Sequence, residues 1–139
     1  GLVFGARAGK TMVDELRPQG TTAAKLRRSV SNGPVDMARE EVIREIQDLM
    51  WRDAGIVRTG TGLKAAIEQL NRMASRVAHP QTRRAHEAQN LHALGLLVAH
   101  SALAREESRG AHYRTDFPAH DDTKFLKHSI VKGDAIRFA

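Results

Sequence analysis

VIREIQDLM, residues 42–50, is the stretch that decides the fold. Its apolar residues recur at i, i+1, i+4, i+7 and i+8, which is the spacing of one face of an α-helix. Asp36 precedes the stretch and can accept hydrogen bonds from the first turn. Gly55 follows it and can end the helix. The stretch therefore predicts an amphipathic helix from about residue 36 to residue 54.

Two further apolar stripes follow at helical spacing. The second predicted helix begins after a cap at Thr59 or Thr61 and ends before Pro80. The third begins after a cap at Thr82, covers about residues 83–108, and has Gly110 as its C-terminal cap. Three stripes joined by short links predict an all-α fold, an antiparallel three-helix bundle of the spectrin-repeat type, over residues 36–110. The side chains expected to share its core are Ile46, Leu49, Ile67, Leu70, Leu94 and Leu97.

The chain outside the bundle divides into three segments. Residues 1–17 are predicted to be the end of a helix, because Pro18 disfavours helical geometry in the residue before it. Residues 18–35 are polar and lack a pattern, so we expect a linker, with disorder as one alternative. Residues 111–139 are predicted to form an extended tail, with a final strand at either Ile130–Val131 or Ala135–Phe138.

The composition excludes several classes of protein. The 139 residues suit one domain with a modest core, and the absence of cysteine excludes disulfides and zinc–thiolate sites. The longest apolar run, residues 94–99, is far too short for a membrane span. The net charge of +6 comes from basic residues that are mixed with acidic ones and lack interleaved aromatic residues. A solvated surface is therefore favoured over a nucleic-acid groove, and a third alternative is a charge that faces a further domain.

The opening GLVFGARAGKT, residues 1–11, has the residue types of a phosphate-binding loop but not its spacing. The G-x-x-x-x-G-K-[ST] motif lets successive backbone N–H groups wrap the phosphates, and Gly5 and Gly9 are one residue too close for it. We interpret the stretch as helix, in which the two glycines allow another backbone to approach closely.

The histidines do not form a metal site by their spacing. His92 and His100 share a rough helix face, but no H-E-x-x-H pair occurs and no acidic residue or cysteine completes a ligand set. We therefore expect no metal in this chain.

The densest chemistry lies directly after the third predicted helix, in residues 106–118. A charged turn at a helix end is one interpretation, and Arg109 could then bind the helix carbonyls. We favour a strip that contacts another domain, because arginine and aromatic side chains together are typical of contact surfaces. The candidate interdomain contacts are Arg109, His112, Tyr113, Arg114 and Asp116.

The same strip carries a family resemblance. ESRGAHYRTDFP (residues 107–118), followed by DDTKFLKHS (residues 121–129), resembles the C-terminal region of flavoproteins related to succinate dehydrogenase and fumarate reductase. LMWRDAGIVRTGTGL (residues 49–63) and SALAREESRGAHYRTDFP (residues 101–118) look most similar to the L-aspartate oxidase branch, through Trp51 and Val57 in particular. The opening GLVFGARAG also resembles the family, as the continuation of a helix that begins beside the flavin.

The resemblance implies an FAD enzyme that oxidises L-aspartate to iminoaspartate in bacterial NAD synthesis. FAD would bind the missing N-terminal part, so residues 1–17 would belong to that FAD-binding domain and residues 111–139 would pack on it. We expect no catalytic, cofactor-binding or metal residue in this chain, and the chain alone should be inactive. The implied partners are the chain's own FAD-binding domain and, in the pathway, quinolinate synthase. The implied location is the cytoplasm, and neither nucleic acid nor a membrane is an expected partner.

Two alternatives stay open from the sequence. The chain could be the same domain of a succinate dehydrogenase or fumarate reductase flavoprotein, which would imply an iron–sulfur partner subunit and a membrane complex. It could also be a stand-alone basic helical module that binds nucleic acid or protein, for which a salt-dependent DNA affinity would be the evidence.

Overall fold

The computed structural model describes Lys10, which is helical, and residues 37–133 and 135–139. Three long helices make up most of it: α1 (Met37–Ala54), α2 (Gly60–Val77) and α3 (Arg83–Ala104). The remaining elements are short: β1 (Val57–Arg58), β2 (Tyr113–Arg114), α4 (Asp122–Phe125), β3 (Ser129–Lys132) and β4 (Ala135–Phe138). The predictions for residues 1–9 and 11–36, including the helix end, the linker and the Asp36 cap, lie outside the described residues.

The helix starts follow from local capping. Thr59 precedes α2 with an extended backbone, and its hydroxyl accepts a hydrogen bond from the N–H of Gly62 at 3.0 Å. Thr82 does the same for α3, accepting from the N–H of Ala85 at 3.1 Å. Each hydroxyl satisfies one of the N–H groups that a helix leaves unpaired at its start. The prediction of caps at Thr59 and Thr82 is confirmed.

The core lies between the three long helices, each of which contacts the other two. Ile46 of α1 and Leu63 and Leu70 of α2 are fully buried. The largest cluster of buried apolar residues combines side chains of all three helices. The stripes of α1 and α2 therefore face the core: Ile46, Leu49 and Leu70 are buried as predicted, whereas Ile67 is only partly buried.

The predicted core face of α3 is wrong. Leu94 is 57% exposed and Leu97 is 42% exposed, whereas the buried side of the helix is made of small residues and one histidine. Its buried positions are Ala85, Ala88, His92, Gly95, Ala99 and Ala102. A side chain on Gly95 would touch Leu70 and Met50, both at 3.4 Å from its Cβ. The small face lets α3 approach the other two helices closely, and this packing outweighs the greater hydrophobicity of the leucines.

α3 is also shorter than predicted, because it ends at Ala104 and not near Ser108. Gly110 has a positive φ of 57°, but it lies in a turn closed by backbone hydrogen bonds between Arg109 and His112. The prediction that Gly110 caps the helix is therefore wrong, because Gly110 lies in a separate turn, six residues after the last residue of α3. The carbonyls at the helix end are satisfied by an arginine side chain, described below.

The C-terminal residues are not extended throughout. α4 was not predicted, and β3 and β4 pair as an antiparallel hairpin in which Ile130 lies opposite Arg137. Both segments proposed for a final strand thus form strands, and they pair with each other. The fold is mostly helical with small sheets, so the all-α prediction holds for the helices and omits these strands. None of the helices in the described part of the chain is both long and apolar enough to cross a bilayer.

Leu70→Ala tests the core. Leu70 is fully buried, so removing its side chain should lower the free energy of unfolding by about 2–5 kcal/mol. Leu94→Ala is the matched control and should change it by less than about 0.5 kcal/mol, because Leu94 is exposed. The measurement is urea or thermal unfolding of each variant. Equal losses for the two leucines would contradict the assignment of the buried face.

Candidate functional site

Four arginines from two parts of the chain converge near the C-terminal end of α3. Arg58 comes from β1, and Arg105, Arg109 and Arg114 belong to the segment after α3. β1 and β2 pair in parallel with Arg58 opposite Arg114, which brings the two parts together. We call these four side chains the arginine cluster.

Arg114 is the most buried member of the arginine cluster, with 2% of its surface exposed. Its Nη1 donates to the carbonyls of Ala102 and Leu103, both at 3.1 Å. Its Nε and Nη2 donate to the two carboxylate oxygens of Asp116 at 2.8 and 2.6 Å. The guanidinium therefore caps α3, since the unpaired carbonyls of a helix C-terminus favour a cation.

Asp116 extends this contact to α2. Its Oδ2 accepts a hydrogen bond from the backbone N–H of Gly60, the first residue of α2, at 2.9 Å. The Arg114 guanidinium and this N–H hold the pKa of the Asp116 carboxyl well below its usual range. Negative charge is stabilised at a helix N-terminus, so the Arg114–Asp116 pair links the end of α3 to the start of α2.

Glu107 is a fully buried carboxylate that forms ion pairs with two other arginines. Arg109 donates to it through Nε at 2.9 Å and Nη2 at 3.0 Å, and Arg105 donates through Nη1 at 2.5 Å. The backbone N–H of Asp121 donates to it at 3.0 Å. These donors, Arg109 first, lower the pKa of Glu107 to about 2 against the cost of its burial. Arg109 also pairs with Asp122.

Arg105 fixes the C-terminal hairpin to the end of α3. Its guanidinium donates to the carbonyls of Phe125 and Lys127 at 2.9 and 2.6 Å and to the hydroxyl of Ser129 at 3.1 Å. It also lies over the rings of Phe125 and Phe138, 5.6 and 5.1 Å from their centroids. Cation–π contacts and charged hydrogen bonds thus hold α4, β3 and β4 to one side chain.

Ser108 organises the loop between α3 and β2 from inside. Its buried hydroxyl accepts from the N–H of Arg114 at 2.9 Å and lies 2.8 Å from the carbonyl of Phe117, to which it donates. The ring of Phe117 in turn packs 4.9 Å from the Arg114 guanidinium. These contacts set the backbone that carries Arg114 and Asp116.

His112 contacts the cluster through both ring nitrogens. Its Nδ1 lies 2.9 Å from Nη1 of Arg58, and because a guanidinium can only donate, Nδ1 must be the acceptor. Its proton is therefore on Nε2, which donates to the carbonyl of Arg105 at 3.0 Å. Burial, followed by the charges of Arg58, Arg114 and Arg105, lowers the pKa of His112. The ring is thus neutral at pH 7.

The structure brings together all five residues predicted as interdomain contacts, in the segment that contains β2. The prediction assumed that no local structure uses them, and this assumption is wrong for four of them. Arg109, His112, Arg114 and Asp116 all bind partners inside the chain. The side chain of Tyr113 is the exception: it is 43% exposed and makes no polar contact among the described residues, although the backbone of Tyr113 belongs to β2 and pairs with β1. The interdomain role itself stays a prediction.

Four residues of the site were not singled out from sequence. Glu107 and Ser108 lie in the charge-dense strip of residues 106–118, and only its density pointed to them; Arg105 directly precedes the strip. Arg58 lies far from the strip in sequence, and no local pattern could have placed it there.

The arrangement is suited to holding elements of the fold together. Three members of the arginine cluster are paired with carboxylates, and the described residues contain no group of three side chains able to hold a metal. A flavin dinucleotide needs a glycine-rich turn beside a helix N-terminus for its phosphates, and the sequence contains no G-x-G-x-x-G. The residues of this chain therefore do not fit FAD by themselves.

Arg114→Ala tests the helix-capping pair. The change leaves Asp116 without its cation and α3 without its cap, so the free energy of unfolding should fall by about 3–5 kcal/mol. Arg72→Ala is the control, because that arginine forms an exposed pair with Glu68 and should cost at most about 1 kcal/mol. Chemical unfolding of both variants gives the values. If Arg114→Ala unfolds at the same denaturant concentration as the unchanged chain, the pair does not stabilise the fold.

The pH dependence of the free energy of unfolding should reveal the contribution of the Glu107 carboxylate. Its pKa is lowered in the folded chain, so its contribution is complete above its unfolded pKa of about 4.3 and is lost as the pH falls toward about 2. Glu107→Gln should therefore be clearly less stable than the unchanged chain at pH 6, and the gap should narrow between about pH 4 and pH 2. Glu106→Gln, at the exposed neighbouring position, is the control. A gap that stays constant with pH would mean that Glu107 is not held as a carboxylate.

Comparisons with known proteins agree with the resemblance. The family model described as "Fumarate reductase flavoprotein C-term" matches residues 43–138. This range covers most of α1, all of α2 and α3, and the C-terminal hairpin. A fumarate reductase flavoprotein subunit of Mycobacterium tuberculosis is 36% identical over 94% of the chain and 27% of the relative. An L-aspartate oxidase of Pyrococcus furiosus is 32% identical over 94% of the chain and 24% of the relative.

A second L-aspartate oxidase, from Caulobacter vibrioides, is 33% identical over 86% of the chain and 20% of its own length. The chain thus spans about a quarter of the length of the curated relatives it matches. With a match over most of its length, the chain belongs to the family of C-terminal domains of the succinate dehydrogenase and fumarate reductase flavoproteins.

Proposed function

We propose that the chain is the C-terminal helical domain of an FAD-dependent L-aspartate oxidase. The flavin and the active site would lie in the rest of a longer polypeptide. The whole enzyme would oxidise L-aspartate to iminoaspartate in NAD synthesis, with oxygen or fumarate reoxidising the flavin. The redox chemistry belongs to the flavin, and the residues of this chain contribute position and stability.

One observation carries the assignment to this kind of domain. The two stretches that resemble the L-aspartate oxidases, residues 49–63 and 101–118, are far apart in sequence but form one junction in space. β1 pairs with β2, and Asp116 binds the start of α2. The resemblance therefore follows a structural unit and not scattered positions.

The choice of L-aspartate oxidase is supported by two surface residues. Trp51 is 77% exposed and Val57 is 57% exposed, and both were positions on which this choice rested. Neither side chain packs in the core, so packing does not fix which residue types stand at these two positions, and they can differ between proteins of different function. The relatives named L-aspartate oxidase add to this support.

Within the whole enzyme we propose that the three long helices are an antiparallel bundle and that the domain packs on the flavin-binding part. Tyr113 is the best remaining candidate for that contact, since it is exposed beside the buried Arg114. Cytoplasmic location and quinolinate synthase as the pathway partner follow from the proposed activity.

Fumarate reductase is the second candidate. The relative from Mycobacterium tuberculosis carries this name and has a somewhat higher identity than the two L-aspartate oxidases over a comparable share of the chain. Such a protein would exchange electrons with an iron–sulfur subunit instead of acting alone. The substrate separates the two candidates.

The test is turnover by the purified full-length protein. We expect a yellow protein that converts L-aspartate to iminoaspartate, detected as oxaloacetate after hydrolysis, with either oxygen or fumarate as acceptor. Succinate is the control substrate and should give no comparable rate. Interconversion of succinate and fumarate without activity on L-aspartate would move the protein to the second candidate.

The 139-residue chain expressed alone should be colourless and inactive, because its residues do not fit FAD. A flavin absorbance band in the purified chain would contradict this expectation. The measurement is an absorbance spectrum after gel filtration in the presence of added FAD.

A further inference from the structure

A groove of about 440 Å³ lies along the C-terminal half of α3, between this helix, β1 and β3. Leu97 and Val98 of α3 and Val131 of β3 form its apolar walls. Its polar part is supplied by Arg58, Arg105 and His112 with two serines, Ser101 and Ser129. Leu97 and Val98 are each 42% exposed. The groove therefore joins large exposed apolar side chains to the arginine cluster.

Arg58 differs from the other three arginines in its charge balance. Arg105 and Arg109 pair with Glu107, and Arg114 pairs with Asp116. Among the described residues, no carboxylate lies within ion-pair distance of Arg58, and its partners are the carbonyls of Ala54 and Gly55 and the ring of His112. Its burial without a counter-ion lowers the pKa of its guanidinium.

His112 cannot supply the missing negative charge. Its ring is neutral and accepts one hydrogen bond from Arg58 while it donates to a backbone carbonyl. What it does is hold the guanidinium in place, together with the carbonyls at the end of α1. Arg58 is thus a fixed cation in a half-buried position, and a fixed guanidinium is well suited to a carboxylate.

We propose that this groove docks the flavin-bearing part of the same polypeptide, and that an Asp or Glu side chain of that part, flanked by apolar residues, pairs with Arg58. The charge on Arg58 calls for a carboxylate, and the walls formed by Leu97, Val98 and Val131 call for apolar neighbours beside it. About three quarters of the length of the related proteins lies outside the region that this chain matches, so a partner surface within the same polypeptide is available. The proposal rests on the proposed function only in taking the chain as one domain of a longer protein.

The test uses a thiol as a reporter of access in the full-length protein. The chain contains no cysteine, so Val98→Cys introduces its single thiol inside the groove. Ala74→Cys is the matched control, on the exposed side of α2 and outside the groove. The rate of modification by a maleimide is read by mass spectrometry of the peptide that carries each thiol.

We expect the thiol from Val98→Cys to react at least about tenfold more slowly than that from Ala74→Cys, because the docked surface covers it. Adding Arg58→Gln should remove most of this protection, whereas Arg58→Lys, which keeps the charge, should retain part of it. Arg72→Gln, which removes an exposed arginine on α2, should change neither rate. This pattern would support a carboxylate on Arg58.

Three results would overturn the proposal. Equal rates at the two thiols would mean that the groove is open, and protection that survives Arg58→Gln would mean that no carboxylate depends on Arg58. Protection that appears only after free succinate is added would assign the groove to a small ligand.

If Arg58→Gln does not fold, a salt series decides in its place. Salt should speed modification after Val98→Cys but not after Ala74→Cys, because it weakens the proposed ion pair. The absence of this difference would overturn the proposal. Labelling does not depend on the substrate, so a protein that fails to oxidise L-aspartate still gives a valid answer.

Discussion

The ion pair between Arg114 and Asp116 connects the parts of this structure. The guanidinium binds the last carbonyls of α3, and the carboxylate binds the first N–H of α2. Each charge lies at the helix end whose dipole favours it, so the pair gains from both helices as well as from its own attraction. Without the pair, the carbonyls of Ala102 and Leu103 and the N–H of Gly60 would lose these partners at the point where the C-terminal segment joins the two helices.

The C-terminal segment therefore stabilises the three long helices. Arg105 and Glu107 extend the same kind of contact to α4 and the hairpin. Since Glu107 is fully buried, its negative charge is tolerated only because two guanidinium groups and a backbone N–H surround it. The charged network and the helices must form together.

How much the sequence could predict depended on the range of each interaction. α1 and α2 each contain one continuous stripe of apolar residues at helical spacing, and the caps Thr59 and Thr82 act within their own turns, so these features were predictable. α3 has two faces that could be buried. The face that contains Leu94 and Leu97 is the more hydrophobic of the two. The face with small residues is nevertheless the buried one, because α3 approaches Leu70 and Met50 closely. That distance is a property of the packed fold.

The position of the charge-dense strip was predictable, but the partner of each of its side chains was not. A dense strip of charges after a helix indicated special contacts, yet it could not show that Arg114 turns inward while Tyr113 stays exposed. The partner of His112, Arg58, is 54 residues away in sequence and meets it only because β1 and β2 pair. Such long-range contacts follow from tertiary structure and leave no periodic signal.

The small face of α3 has a consequence for how the fold responds to heat. The fully buried side of α3 gives the core mainly alanine and glycine, while Leu91, Leu96 and Leu103 are only partly buried, so the ion pairs beyond the C-terminal end of α3 add to the stabilisation from the apolar core. The hydration of charged groups becomes less favourable as the temperature rises, so the cost of burying Glu107 and Arg114 declines on warming. The stabilisation from apolar burial levels off over the same range. The balance of forces in this fold therefore shifts from its apolar core toward its ion pairs as it is warmed.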